Sequence, residues 1–135
     1  APQRQKIVRY MRVGHAYGDT SMKDFTVKFH LADSEYMTAL RLVCGAVCSA
    51  HGLNLDETED FKVCVTESAI IFKNCGYERV TADFCGEEAA CVVYGEGGTP
   101  AEGENELSLA LISALVKECG IERRGGIIER VTLKI

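Results

Sequence analysis

The sequence predicts an α+β domain, a two-layer sandwich of about three helices on one face of a mixed, mostly antiparallel sheet. Some segments alternate apolar and polar residues, others repeat apolar residues every three or four positions, and their order is strand, helix, helix, hairpin, loop, helix, strand. A chain of 135 residues suits one hydrophobic core rather than two. It shows no internal repeat and no domain linker.

The patterned region starts near Met22, so a single domain is expected over 22–135. Residues 1–21 are read as an extension, a tag-like tail or an additional edge strand over Lys6 to Val13. Phe25, Val27, Phe29 and Leu31 alternate with Thr26, Lys28 and His30, as in a strand with one buried face. Asp33 or Ser34 then caps a helix running to about Ala50, with Tyr36, Leu40, Val43, Cys44, Val47 and Cys48 at helical spacing and Gly52 to end it. Asp56 and Glu59 have capping-box spacing for a second helix, carried by Phe61, Val65, Ala69 and Phe72 towards Cys75. Strands are expected over Arg79 to Phe84 and Ala89 to Tyr94, turning through Gly86-Glu87-Glu88. A Gly-rich, acidic loop follows from Gly95 to Glu104. A third helix is expected over Glu106 to Glu118, and Gly125-Gly126 turns the chain into a last strand, Ile127 to Ile135.

Charge is uneven. Residues 1–21 carry Arg4, Lys6, Arg9 and Arg12 against Asp19, a net of +3, whereas 22–135 carry eleven basic and nineteen acidic residues, a net of -8. An acidic body disfavours direct nucleic-acid binding, which needs a basic face, and suits a basic protein partner or simple solubility. No apolar run is long enough for a membrane span or a signal-peptide core, so a cytoplasmic location is expected. Seven cysteines, an odd number lying mostly in apolar runs, are expected to be reduced thiols packed as small hydrophobes.

The second helix carries the informative residues. Glu67, Ile71 and Cys75 are spaced i, i+4, i+8 and so share one helix face. The segment VTESAIIFKNCGY, Val65 to Tyr77, resembles the helix of the GHKL (histidine-kinase-like) ATPase superfamily, and within it the anti-sigma factor serine/threonine kinases. That helix reads Glu-Ala, Asn four residues after the Glu, then His-Ala/Gly-Tyr. The resemblance extends over the order of elements from about Asp24 to Ile135. It implies a nucleotide pocket, pairing as a homodimer, and binding to a sigma factor or an anti-sigma-factor antagonist.

The departures from the family pattern bear on function. The family Asn, which holds magnesium between the ATP phosphates, falls on Ile71, and the His falls on Cys75; Ile71 has no oxygen for a hard cation. The adenine-binding Asp-x-Gly-x-Gly falls on Val93-Tyr94-Gly95-Glu96-Gly97, with Val93 in place of the Asp and Gly95 and Gly97 retained; sliding by one residue puts Tyr94 there and likewise supplies no Asp. The phosphate-binding Gly-x-Gly at the start of the last helix falls on Glu106 and Ser108, and an acid there repels phosphate. Glu67 is retained; the resemblance makes it the base that activates the attacking group, against a simpler role as a hydrogen-bonded helix residue.

The resemblance therefore implies an anti-sigma-factor-like transcription regulator that works by protein binding, with nucleotide binding lost or weakened and no cofactor or metal. The alternative is an active ATP-dependent kinase using magnesium, with Glu67 as base and Asn74 replacing the missing ligand. A third reading is a structural or small-molecule-binding module whose old pocket is apolar through Ile71, Cys75 and Val93. Elsewhere, Cys44, Cys48 and His51 have spacing compatible with zinc, but both thiols already belong to the apolar stripe. GEGGTPAEG lacks the Lys and Ser/Thr of a phosphate-binding loop and reads as a surface loop corresponding to a shortened nucleotide lid. His15, His30 and His51 lie in unrelated contexts, and no nucleophile-base set can be assembled.

Overall fold

The computed structural model describes residues 24–135; the edge strand considered over 6–13 and the start at Met22 lie outside the described residues. The elements are β1 (Phe25–His30), α1 (Glu35–Ala50), α2 (Leu55–Asn74), β2 (Arg79–Phe84), β3 (Ala90–Glu96), α3 (Glu106–Leu115), β4 (Glu118–Arg124) and β5 (Ile127–Lys134). The strands form one sheet in the order β1-β2-β3-β5-β4, antiparallel throughout. The fold is α+β, with helices and sheet as two layers over one core.

Alternation along the strands decides which side chains enter that core. Phe29 of β1, Val80, Ala82 and Phe84 of β2, Cys91 and Val93 of β3, and Val131 and Leu133 of β5 pack with Leu40, Phe61, Val65, Ile71 and Phe72 from the helices. Phe61 meets Phe84 edge-on at 6.3 Å, joining α2 to the sheet. Each fully buried aromatic of this kind stabilises the fold by roughly 1.5–3 kcal/mol through area removed from water.

Both long helices end at a glycine, as the sequence predicts for Gly52. Gly52 and Gly76 have φ of 72° and 89°, and in each case the following residue donates back five positions, Leu53 N to Cys48 O and Tyr77 N to Phe72 O. These are Schellman caps, and the second carries its usual hydrophobic contact, Tyr77 edge-on to Phe72 at 5.4 Å. The N-terminal cap of α2 differs from expectation. Asn54 and Glu57 form the reciprocal capping box, not Asp56 and Glu59, so the expected spacing occurs two residues earlier.

Three further expectations need correction. The third helix stops at Leu115 rather than Glu118, and an unanticipated strand, β4, follows it. Gly125 and Gly126, with φ of 59° and 83°, make a two-residue hairpin loop between β4 and β5, so Glu118 is paired in the sheet with Lys134. Register then slips between Glu122 and Arg123, leaving Glu129 as the extra residue on β5. That bulge lets Ile128, Val131 and Leu133 all reach the core despite uneven spacing. Finally, Gly95 and Glu96 belong to β3, paired with Val80 and Arg79, not to the loop.

Gly95 is there for lack of room. A Cβ at this position would lie 2.7 and 2.8 Å from the Cδ atoms of Tyr77, whose hydroxyl donates to Ile128 O at 2.9 Å and fixes the ring. Gly95→Ala is therefore expected to cost about 1–3 kcal/mol by overpacking, measured as a lower urea midpoint with an unchanged slope.

Candidate functional site

The seam between α2 and α3 gathers the polar residues of the site. Helix α3 runs antiparallel to α2: Asn105, just before α3, meets the last turn of α2, and Ser108 meets Glu67 two turns earlier. The Ser108 hydroxyl donates to Glu67 Oε1 at 2.6 Å, a short bond to a carboxylate, with Ser108 itself buried. Asn74 Nδ2 donates to Asn105 Oδ1 at 3.2 Å, and Asn105 Nδ2 donates to Cys75 Sγ at 3.4 Å. Glu67 and Asn74, seven residues apart, thus lie on one stripe of α2 and both face α3.

The other positions singled out by the sequence lie at different depths. Ile71 and Val93 have no exposed surface and are part of the core, while Cys75 is the buried C-cap of α2. Gly95 is inside β3; Gly97 is in the turn after it with φ of 72°, a conformation a side chain would strain. Glu106 opens α3 and is exposed. Of the eight site positions, Glu67 and Ser108 are joined by a side-chain hydrogen bond, while Ile71, Cys75 and Val93 share the core.

Between β3 and α3 the chain does not swing free, as the composition of GEGGTPAEG suggests. Helix ends leave carbonyls without intrahelical donors, and here the loop supplies them. Thr99 N donates to Gly76 O at 3.2 Å and Ala101 N donates to Cys75 O at 2.8 Å. Gly103 lies so close to the helix that an added Cβ would sit 2.7 Å from Asn74 O. Residues 99–105 form a strap across the end of α2, with the buried Asn105 side chain behind it.

Sequence reasoning missed Asn105. An Asn directly before a helix signals an N-cap, and Asn105 does precede α3, but its side chain makes no capping bond and turns inward to Asn74 and Cys75. Of the Cys44, Cys48 and His51 set, both thiols lie in the core and His51 is the C-cap residue of α1. Among the described residues no group of three or more His, Cys, Asp or Glu side chains is arranged to hold a metal ion. No helix among them is long and apolar enough to cross a membrane.

The Glu67 bond can be weighed directly. Ser108→Ala removes a charge-assisted hydrogen bond worth about 1.5–3 kcal/mol at most; Glu67 is only half-buried, so water recovers part of it. The expected loss is about 1 kcal/mol in urea denaturation, with Ser108→Thr retaining most of the bond. Compared with protein-family models and with curated proteins, the chain finds no match.

Proposed function

We propose that this domain is an anti-sigma-factor-like regulatory protein that acts by binding another protein and has given up nucleotide chemistry. One observation supports this reading above all: several of the positions that resemble the nucleotide pocket are taken up by the chain itself. Ile71 and Val93 are core residues, Ser108 donates to one carboxylate oxygen of Glu67, and the strap with Asn105 closes the end of α2. A general base works only if its substrate comes within hydrogen-bond reach, and here Glu67 already accepts from the chain's own hydroxyl. The partner class, a sigma factor or an anti-sigma-factor antagonist, rests on the sequence resemblance and on the acidic net charge of the body.

One feature favours the kinase alternative. Asn74 shares the α2 stripe of Glu67, where an oxygen ligand for magnesium would be wanted, and its amide nitrogen, not its oxygen, donates to Asn105. A nucleotide titration by calorimetry and thermal shift, with and without magnesium, separates the two. A ligand at a hundredfold excess over its Kd stabilises the fold by about 2.7 kcal/mol, a shift readily seen. The expected result is no shift at millimolar ATP; binding at micromolar ATP, abolished by Asn74→Ala, would overturn the proposal in favour of the kinase. Recovery of purified sigma factor on the immobilised chain tests the partner class.

A further inference from the structure

The helix α3, ELSLALISAL, is apolar nearly all the way round. Such helices are ordinarily buried on every side. Here Ser108 and Ile112 face inwards, while Leu107, Ala110, Leu111 and Ala114 are exposed. These four are spaced i, i+3, i+4, i+7 and form one continuous stripe, with Leu107 exposed at 75% and Leu111 at 36%. Because α3 runs antiparallel to α2, Leu111 and the exposed Val63 both lie about one turn beyond the Ser108 to Glu67 bond, on the two neighbouring helices. Contiguous exposed apolar surface with a polar border marks a site of association.

The border is acidic. Exposed Glu102, Glu104 and Glu106 lead into the stripe, with Glu102 leaning on Gly126 of the β4–β5 turn, and Glu59, Asp60 and Glu67 flank Val63 along α2. The nearby cations are partly committed: Lys62 is paired with Glu59 at 3.1 Å and Arg124 with Glu129 at 3.0 Å, and Lys117 follows the far end of α3. An anionic membrane is repelled by such a border, and a second copy brings a body of like charge.

We propose that the exposed α3 stripe, together with Val63 of α2, is the docking surface for a basic amphipathic helix of a protein partner. Aliphatic side chains of that helix would cover Leu107 and Leu111, and flanking Lys or Arg would meet Glu104 and Glu106. This deepens the protein-binding reading above and rests on it, by naming the face and the chemistry of what it takes.

The test uses the full chain and two designed 18-residue helical peptides, one alternating Leu and Lys faces and one with every Lys replaced by Glu. The Leu/Lys peptide is expected to bind saturably, shifting the amide resonances of residues 104–114, and the Leu/Glu peptide to bind at least about tenfold more weakly. Leu107→Ser with Leu111→Ser, at exposed positions, should weaken the Leu/Lys peptide about tenfold or more, and Glu104→Gln with Glu106→Gln about threefold, the latter gap closing in high salt. Equal binding of both peptides, or binding indifferent to the leucine pair, would overturn the proposal. So would conversion of a dimer to a monomer by the leucine pair, which would make a second copy the occupant. Arg9→Glu with Arg12→Glu shifting the same amides without peptide would assign the face to the chain's own basic segment, again overturning it. No nucleotide enters these measurements, so the docking face and the loss of nucleotide binding fail separately.

Discussion

Replacing Ile71 with asparagine, the residue that the resemblance to the ATP-binding family would put there, is expected to destabilise the domain by about 4 kcal/mol and to yield no magnesium-dependent ATP binding. Ile71 is fully buried among the core residues of α2 and the sheet. Removing a buried aliphatic side chain of this size costs about 2–5 kcal/mol, and a buried amide left without partners adds about 1–3 kcal/mol, partly offset because asparagine fills some of the space. Against a total stability of about 5–15 kcal/mol for a typical domain, the loss is large. Ile71→Val keeps the shape and should cost only about 1 kcal/mol. Urea denaturation of both variants, with ATP titration of Ile71→Asn, checks the pair. Weak destabilisation together with new magnesium-dependent binding would place Ile71 at the rim of an open pocket and remove the main support for a pocket filled by the chain.

The elements built by short-range chemistry were legible in the sequence. The alternation of Phe25, Val27 and Phe29 needed only the pleat of a strand, and Gly52 stopped its helix because a left-handed cap is local to the chain. The elements that depend on a distant partner were not. In β4, ECGIERR, only Cys119 and Ile121 are apolar, too few for alternation to announce a strand, and Val116 to Glu118 continue the helical pattern of α3. What makes this segment a strand is the hairpin to β5, with Cys119 opposite Leu133 and Ile121 opposite Val131. The Gly-Gly turn was visible, but not that both sides of it are strand.

The site divides the same way. The resemblance sets Glu67 and Ser108, 41 residues apart in the chain, at a proposed nucleotide pocket, and they are 2.6 Å apart through a hydrogen bond. It gave no hint that they would bond to each other, because the family carries glycine at the position of Ser108, with no hydroxyl to donate. Asn105 was invisible for a related reason. Its value lies in a pair of contacts to Asn74 and Cys75 made by a strap whose glycine and proline describe only its freedom, not where it settles. The strap is held by backbone donors answering the free carbonyls of α2, a demand any helix end creates and many different sequences can meet.

Raising the pH from 8 to 10 is expected to remove about 3 kcal/mol of stability, the second large effect. Burial pushes the thiol of Cys44 up to about 12, with Cys48 nearby adding to the shift. It does the same for Cys64, again to about 12, with Asp60 contributing. Both side chains are fully buried. In the unfolded chain these thiols titrate near 9.0, so between about 9 and 12 the unfolded state binds fewer protons than the folded one. Stability from this source is therefore complete below pH 9 and is lost as the pH climbs through 12. At pH 10, one unit above the unfolded value, each thiol accounts for about 1.4 kcal/mol. Cys91, which burial also raises well above 9, steepens the fall. Urea midpoints at pH 8, 9 and 10 under reducing conditions measure the slope, and Cys44→Ala with Cys64→Ala should flatten it even though the substitutions lower stability at every pH. An unchanged slope in that variant would mean that the two thiols release their protons at the same pH folded and unfolded, and that their place in the core is looser than their burial indicates.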